Sequence, residues 1–522
     1  MPSGELQIEI VPFGADAHAA DAAVRTALGH PSVRVEIQDV EHRLLSMRPT
    51  GDAAADAPIA IEATLYDYTN DRAVVVDAPL HGDGPPTVAS TARQPLPSDE
   101  ERRAALAVLV DDPELGPALR AGRLLPYRPM PPLLTDEQPD GRIVRAVTVG
   151  LRPAQDDGAG HEIVAVALAR GRVMRFADRA PPAALARSRS CGPHSAGQDT
   201  AQGVPGSARV TVTQDGETLW TLIANRPAAS SGTNGSGVEL RNVSYRDKRI
   251  FRRAHVPILN VRYDHDACGP YRDWQNEESM ITADGTDAAP GFRVCAAPAQ
   301  TIVESGHDHG NFLGVAAFVD GDEAVLVSEL EAGWYRYVSS WRLHADGTIR
   351  PRFGFAAVRS SCVCNLHHHH AYWRLDFDLA GGGDCVVHEF NDPPVTGTSH
   401  WHPLRHEIRR ARSAPHMRKW KVINRTTGES CTLTPGADDG HADAFGVGDL
   451  WALRRRPGEV DDGQPFTTDP AKARAHVDRF VNHQSIHGTD VVLWYAGHFA
   501  HDVHHGEEVG HVVGPTLTLD DW

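Results

Sequence analysis

The chain has 522 residues, too many for one ordinary core, so two to four domains are expected. Its composition is globular, at 41% hydrophobic and 23% charged, and a formal net charge of −18 argues against nucleic acid as a partner, because a phosphate-binding groove leaves a basic footprint. No run approaches the roughly 20 apolar residues that span a bilayer, the opening MPSGELQIEIVPFGAD lacks a secretory pattern, and seven cysteines in no framework spacing point to a reducing, cytoplasmic compartment.

Residues 5–80 alternate apolar and polar in short runs (LQIEIV, VRVEIQDV, IAIEATLYDY, AVVVDA), with an alanine-rich segment between the first two. This pattern predicts a small α+β domain over 1–90, one helix on an antiparallel sheet. After the Pro- and Gly-rich loop PLHGDGPPTVAS, Ser98 followed by Asp99, Glu100 and Glu101 marks a helix start. That helix and the strands RIVRAVTVGLRP and EIVAVALARGRVMRF form a second small α+β domain over 91–180. Residues 181–206, rich in Pro, Ala, Ser and Gly, read as a linker. From 207 to 522 the pattern is almost purely β, with strand-like runs separated by DG, GDG, ADG and GGGD turns, and predicts a large β-sandwich.

Histidine is unusually abundant, with 29 residues, many in the last third of the chain. In LHHHHAYWRLDFDL the side chains of a strand alternate, so His367 and His369 share one face while His368 and His370 share the other. Two imidazoles one pleat apart make half a metal site, and DVVLWYAGHFAH supplies a third histidine, His501, on a later strand. Copper(II) suits imidazole ligation with open positions for water or oxygen. Cys362 and Cys364, just before the histidine run, read as small packed residues rather than ligands.

Several ordered blocks resemble the catalytic domain of the copper amine oxidase superfamily. GVELRNVSYRDKRIFRRAHVPILNVRYD is similar to its opening strand. HHHHAYWRLDFDLAG is similar to its "H-x-H-x4-R-L-D" copper strand. DLW at Asp449–Trp451, FVNHQ at 480–484, and His501 seven residues after Trp494 match further blocks. The resemblance covers about 207–522; residues 1–180 match it only in outline. It implies copper held by His367, His369 and His501, a homodimer, and oxidation of a primary amine by dioxygen. It also implies topaquinone, a cofactor made from a tyrosine of the chain itself.

Within GWYRYVSSWRLHADGTI, counting back from Asp346-Gly347-Thr348-Ile349 places Tyr335 at the cofactor position. Trp334 stands where the family has Asn, and Arg336 where it has an acid. The family's base, a carboxylate that takes the Cα proton, falls on Ser279 of PYRDWQNEESM. Serine needs an activating partner for that role, so Glu277 or Glu278 is expected to take it over. Glu277, on the same strand face as Ser279, is the better candidate. Tyr263 matches the family tyrosine that bonds the quinone oxygen. Asp376, the Phe377 carbonyl, Asp378 and Asp490 resemble a calcium cluster of the oxygen ligands that a hard cation requires. Three readings remain open: an amine oxidase, a quinone-free copper oxidase in a biosynthetic pathway, and a non-catalytic copper-binding homologue.

Overall fold

Period-two alternation drives most of this chain into strands. In Ala60–Asp67, Ile61, Ala63 and Leu65 turn into a core while Ala60, Glu62 and Thr64 between them are only partly buried. The computed structural model describes residues 5–13, 17–50, 60–80, 84–91, 94–95, 97–128, 136–138, 143–154, 162–175, 191–193, 195–198, 203–233, 235–264, 268, 270–360, 362–456, 458–464, 469–502 and 510–522.

Two small α+β units come first. In one, the helices Ala17–Gly29 and Pro31–Ile37 pack on a four-stranded sheet of His42–Thr50, Ala60–Asp67, Arg72–Pro79 and Thr87–Thr91. In the other, Asp99–Asp111 packs on a four-stranded sheet that includes Ala146–Pro153 and Glu162–Ala167. The predicted helix start is present as a capping box: Ser98 Oγ accepts from Glu101 N–H, and the Glu101 carboxylate accepts from Ser98 N–H. The same carboxylate accepts from Tyr68 of the first unit and Arg145 of the second, joining the two.

Two expectations for this region are corrected. The VRVEI run is a helix, not a strand, because Pro31 pre-sets the first turn and the His30 ring accepts from Ser32 N–H. LQIEIV does not belong to the first small sheet. It pairs antiparallel with Ser207–Gln214 at the edge of the large sheet, from Leu6↔Gln214 to Pro12↔Ala208. Leu6 and Ile10 are buried with Val210 and Val212, and alternation alone cannot say which sheet a strand joins. Of the expected linker, residues 181–190, 194 and 199–202 lie outside the described residues. The described part is anchored: Gly197 N–H donates to Asp308, and Cys191 exchanges backbone hydrogen bonds with Ser360.

Beyond residue 206 two large sheets face each other over one continuous apolar core. The ten-stranded sheet carries Lys248–Tyr263, His367–Phe377 and Val491–His501 side by side at its centre. The thirteen-stranded sheet carries Glu323–Ala332, Tyr335–His344 and Ile349–Ala357 as neighbours. The candidate site lies between these two central groups. No helix among the described residues is long and apolar enough to cross a membrane.

Candidate metal centre

The histidine strand behaves as its alternation predicts. His367 and His369 are fully buried on the face turned toward the second sheet, and His501 sits directly opposite His367 on the neighbouring strand. Their rings cluster, with centroids 5.1 Å apart for His367 and His369 and 4.8 Å apart for His367 and His501. From the opposing sheet Tyr335 points at them. It is the first residue of its strand, after a tight turn in which Gly333 takes φ +60°. The phenol oxygen lies 2.5 Å from His367 Nε2 and 2.5 Å from His501 Nδ1.

Hydrogen bonds fix which ring nitrogens carry protons. His367 Nδ1 lies 2.6 Å from the Asn365 carbonyl, which only accepts, so Nδ1 holds the proton and Nε2 is bare. Tyr337 Oη donates to Asp273 Oδ2 at 2.6 Å, so its oxygen is left to accept from His369 Nδ1 at 3.4 Å. That leaves His369 Nε2 bare and buried, with no hydrogen-bond partner among the described residues. Burial holds both rings well below the ordinary imidazole pKa, and hence neutral. Neutral imidazoles with bare nitrogens, oriented by a carbonyl and a phenol behind them, fit a copper ion. Among the described residues no three His, Cys, Asp or Glu side chains already surround one metal-sized point, since the Tyr335 hydroxyl stands between two of the imidazoles.

The carboxylates around the site are not arranged as expected. Glu277 is buried and paired with Arg128 of the second small unit at 3.0 Å; burial pushes its pKa up to about 7 against that arginine's pull. Glu278 is buried in a two-pronged pair with Arg226, and burial raises its carboxyl pKa against that arginine's pull. Ser279 Oγ donates to Glu329 Oε1 across the sheet at 2.8 Å, and Glu329 Oε2 accepts from Ile302 N–H. The carboxylate that the sequence reading missed is Asp273. It is 1% exposed, and among the described residues no cation pairs with it. Its Oδ1 has no hydrogen-bond partner there, and its charge is felt at Tyr335. Burial pushes its pKa up to about 7. The ring of Tyr337, whose hydroxyl it accepts from, stacks on Tyr335 at 5.5 Å and 12°. PYRDWQNEES contains this aspartate, but a turn-like PYRD offers no periodicity to place it.

The residues flanking Tyr335 have work of their own. Trp334 Nε1 donates to Tyr263 Oη at 2.7 Å, and the Tyr263 ring stacks on His367 at 4.4 Å. Arg336, on the opposite strand face from Tyr335, forms a bidentate pair with Asp308 at 2.7 and 2.9 Å, backed by Glu331 at 3.5 Å. Neither substitution leaves an unsatisfied hole beside the phenol.

The cysteine expectation is overturned. Cys362 and Cys364 are not packed thiols: they form disulfides with Cys268 and Cys191 respectively. The Cys362–Cys364 segment is a 3-10 turn, not a continuation of the histidine strand, so adjacent sulfurs reach different partners. The bridges close five and three residues before His367 and fix the approach to the histidine strand. Cys295, Cys385 and Cys431 are free and buried.

The expected calcium cluster is corrected too. Arg252 sits among its members: its guanidinium lies 2.7 Å from Asp378, 3.2 Å from Asp490 and 3.3 Å from the Phe377 carbonyl oxygen. Asp376 instead pairs with Arg455 at 3.0 Å and Arg374 at 3.3 Å. A side-chain cation stands where the resemblance implies a metal.

No protein-family model matches the sequence, and no curated protein matches it. Solved structures do. A copper-containing benzylamine oxidase from Hansenula polymorpha superposes with a TM-score of 0.59 at 10% identity, covering 98% of this chain and 97% of that one. Pichia pastoris lysyl oxidase gives 0.56 at 11% identity, over 98% and 90% of the two chains. Aspergillus nidulans amine oxidase gives 0.55 at 12% identity, over 100% and 91%. At this level of identity the likeness speaks to architecture, and it extends through the two small units as well as the sandwich: the chain has the fold of the copper-containing amine oxidases.

Proposed function

We propose that the chain is a copper-dependent oxidoreductase acting on a primary amine with dioxygen, with His367, His369 and His501 as the metal ligands. The observation that carries this reading is the clustering of three buried imidazoles around Tyr335, with His367 and His501 at hydrogen-bond distance from its hydroxyl and the His369 ring against its ring. When bound, copper together with a quinone made from Tyr335 supplies an electrophilic carbonyl for the amine and a route for its electrons to dioxygen. The chain's own residues do the rest. The Asn365 carbonyl and Tyr337 hold the two imidazoles in their ligating tautomers. The stacked rings of Tyr263 and Tyr337 and the indole of Trp334 hold the Tyr335 region dry and oriented. Asp273 takes the role first given to Glu277 and Glu278: its unpartnered Oδ1 accepts the substrate's proton, and burial sets its pKa near the working pH. The two glutamates position loops through Arg128 and Arg226. A homodimer is proposed from the fold likeness alone. Calcium is not part of the proposal, because Arg252 supplies the cation. A cytoplasmic location is not carried forward either, since two disulfides are the mark of an oxidising compartment.

The test is to load metal-free protein with copper under argon, admit air, add phenylhydrazine and map the Tyr335 peptide by mass. A quinone adduct at Tyr335 supports the proposal. Copper bound with Tyr335 unmodified sinks it and favours quinone-free oxidation. One observation points that way: the phenol oxygen already sits at hydrogen-bond distance from two ligand nitrogens, so it could serve as a ligand itself.

A further inference from the structure

His367 opens its strand and His501 closes the neighbouring one, so the imidazole cluster sits at an end of the sheet, close to the rim of the sandwich. Most of the rings packed on the cluster are sealed: Tyr263, Tyr335 and Tyr337 are 0% exposed and Phe355 is 1% exposed. Phe499 is the exception among the described residues, because it packs on the cluster and is only half-buried. It pairs in register with His369 on the neighbouring strand and stands two residues before His501, so the three side chains share the inner face of one sheet. Its ring lies 6.2 Å from that of His369 at 14° and 5.6 Å from that of His501 at 23°.

The opposing sheet supplies a second half-buried ring, His511. His511 pairs in register with Phe355, so the two side chains stand together on the inner face of that sheet. Phe499 lies across both, 5.7 Å from the Phe355 ring and 4.3 Å from the His511 ring, whose plane is 8° from its own. This parallel stack joins one ring from each sheet at the edge of the imidazole cluster. Its two members are held unequally. A carbonyl only accepts, so His511 Nε2 carries a proton and donates it to the Asp438 carbonyl at 3.0 Å. The Phe499 side chain has no polar atom and rests on packing and ring contacts alone. Such a stack contributes about a factor of ten to an equilibrium, so opening it costs little beside unfolding the sheet.

We propose, resting on the ligand set assigned above, that the Phe499–His511 stack is the door through which a metal ion reaches His367, His369 and His501. His511 is the fixed post, and Phe499 is the leaf that swings out by rotation of its side chain. Closed, the apolar plate keeps water off the buried, neutral imidazoles; open, it uncovers the edge formed by His369 and His501. A door sets how fast an ion passes in either direction and leaves the affinity alone, because entering and leaving ions cross the same barrier. A group that positions the ligands changes the affinity instead.

Copper(II) alone is the probe. Metal-free full-length protein is mixed with buffered copper(II) under argon, loading is followed by quenching of tryptophan fluorescence, and release is followed after excess chelator is added. Phe499→Ala and His511→Ala should each load and release copper about tenfold faster than wild type at unchanged affinity, and Phe499→Tyr, which keeps the plate, should match wild type. Deuterium exchange at the imidazole C2 of His369, measured on metal-free protein, should quicken by a similar factor in both alanine variants, and circular dichroism confirms that each variant is folded. Wild-type rates of loading and exchange in the alanine variants overturn the proposal. So does an affinity that shifts while the loading rate stays put, which marks the two rings as supports for the ligands. His369→Ala tests the ligand set separately: copper affinity retained in that variant removes the ligand assignment, while the exchange rates still decide whether Phe499 and His511 cover the cluster.

Discussion

Asp273→Asn is the substitution that tests the reasoning most directly, because its effect on stability has a sign fixed by burial. The carboxyl's pKa rises from 3.8 to about 7 on folding. A raised carboxyl pKa means that the folded state binds the proton more tightly. Its contribution is intact below the unfolded value near pH 4 and is lost as pH climbs through 7. Three units at about 1.4 kcal/mol each give a full cost of about 4 kcal/mol above pH 7. Asparagine carries no such cost. Between pH 5 and pH 8, the stability of Asp273→Asn relative to wild type should therefore rise by about 2–3 kcal/mol. Urea unfolding of metal-free protein, followed by tryptophan fluorescence at pH 5, 6.5 and 8, measures the gap. A gap that does not change with pH would show that Asp273 is ionised at ordinary carboxylate pH, and both the burial argument and its role as proton acceptor would fall together.

Tyr335→Phe should still bind copper through the three imidazoles but yield no phenylhydrazine adduct, read by metal analysis and visible absorbance on the same sample. Arg252→Met should lower stability by about 2–4 kcal/mol by leaving Asp378 and Asp490 without their cation, and millimolar calcium should restore part of it in thermal melts; no loss would mean that the arginine is incidental. Without reductant, alkylation of the unfolded chain should label only Cys295, Cys385 and Cys431, leaving four cysteines protected as two bridges. Reduction should cost about 4–5 kcal/mol per bridge, because the closed loops span 94 and 173 residues, and should weaken copper binding through the loosened approach to His367.

The sandwich was legible because its strands are long and strictly patterned, and the helix at Ser98 because its cap is written in the residues. Where the reading failed, the missing information was tertiary. Leu6–Pro12 alternates equally well for either sheet. The helix Pro31–Ile37 has β-branched residues that read as strand until Pro31 is weighed. The disulfides join residues 94 and 173 positions apart, and neither spacing nor local pattern predicts which sulfurs meet.

The site divides along the same line. The cluster of His367, His369, His501 and Tyr335 was legible because side chains on strands obey register, and the structure brings all four together. The proposed proton acceptor was not, because a carboxylate's role depends on what surrounds it. Glu277 and Glu278 looked eligible by position, and burial raises both carboxyls, yet each is tied to an arginine, Arg128 and Arg226, which Asp273 is not. Asp273 was not singled out in the sequence; its carboxylate accepts from Tyr337, and no cation pairs with it among the described residues. In the proposed reading Ser279 has a structural part, its hydroxyl satisfying buried Glu329, and the base is assigned six residues back along the chain to Asp273, a carboxylate with no cation paired to it among the described residues.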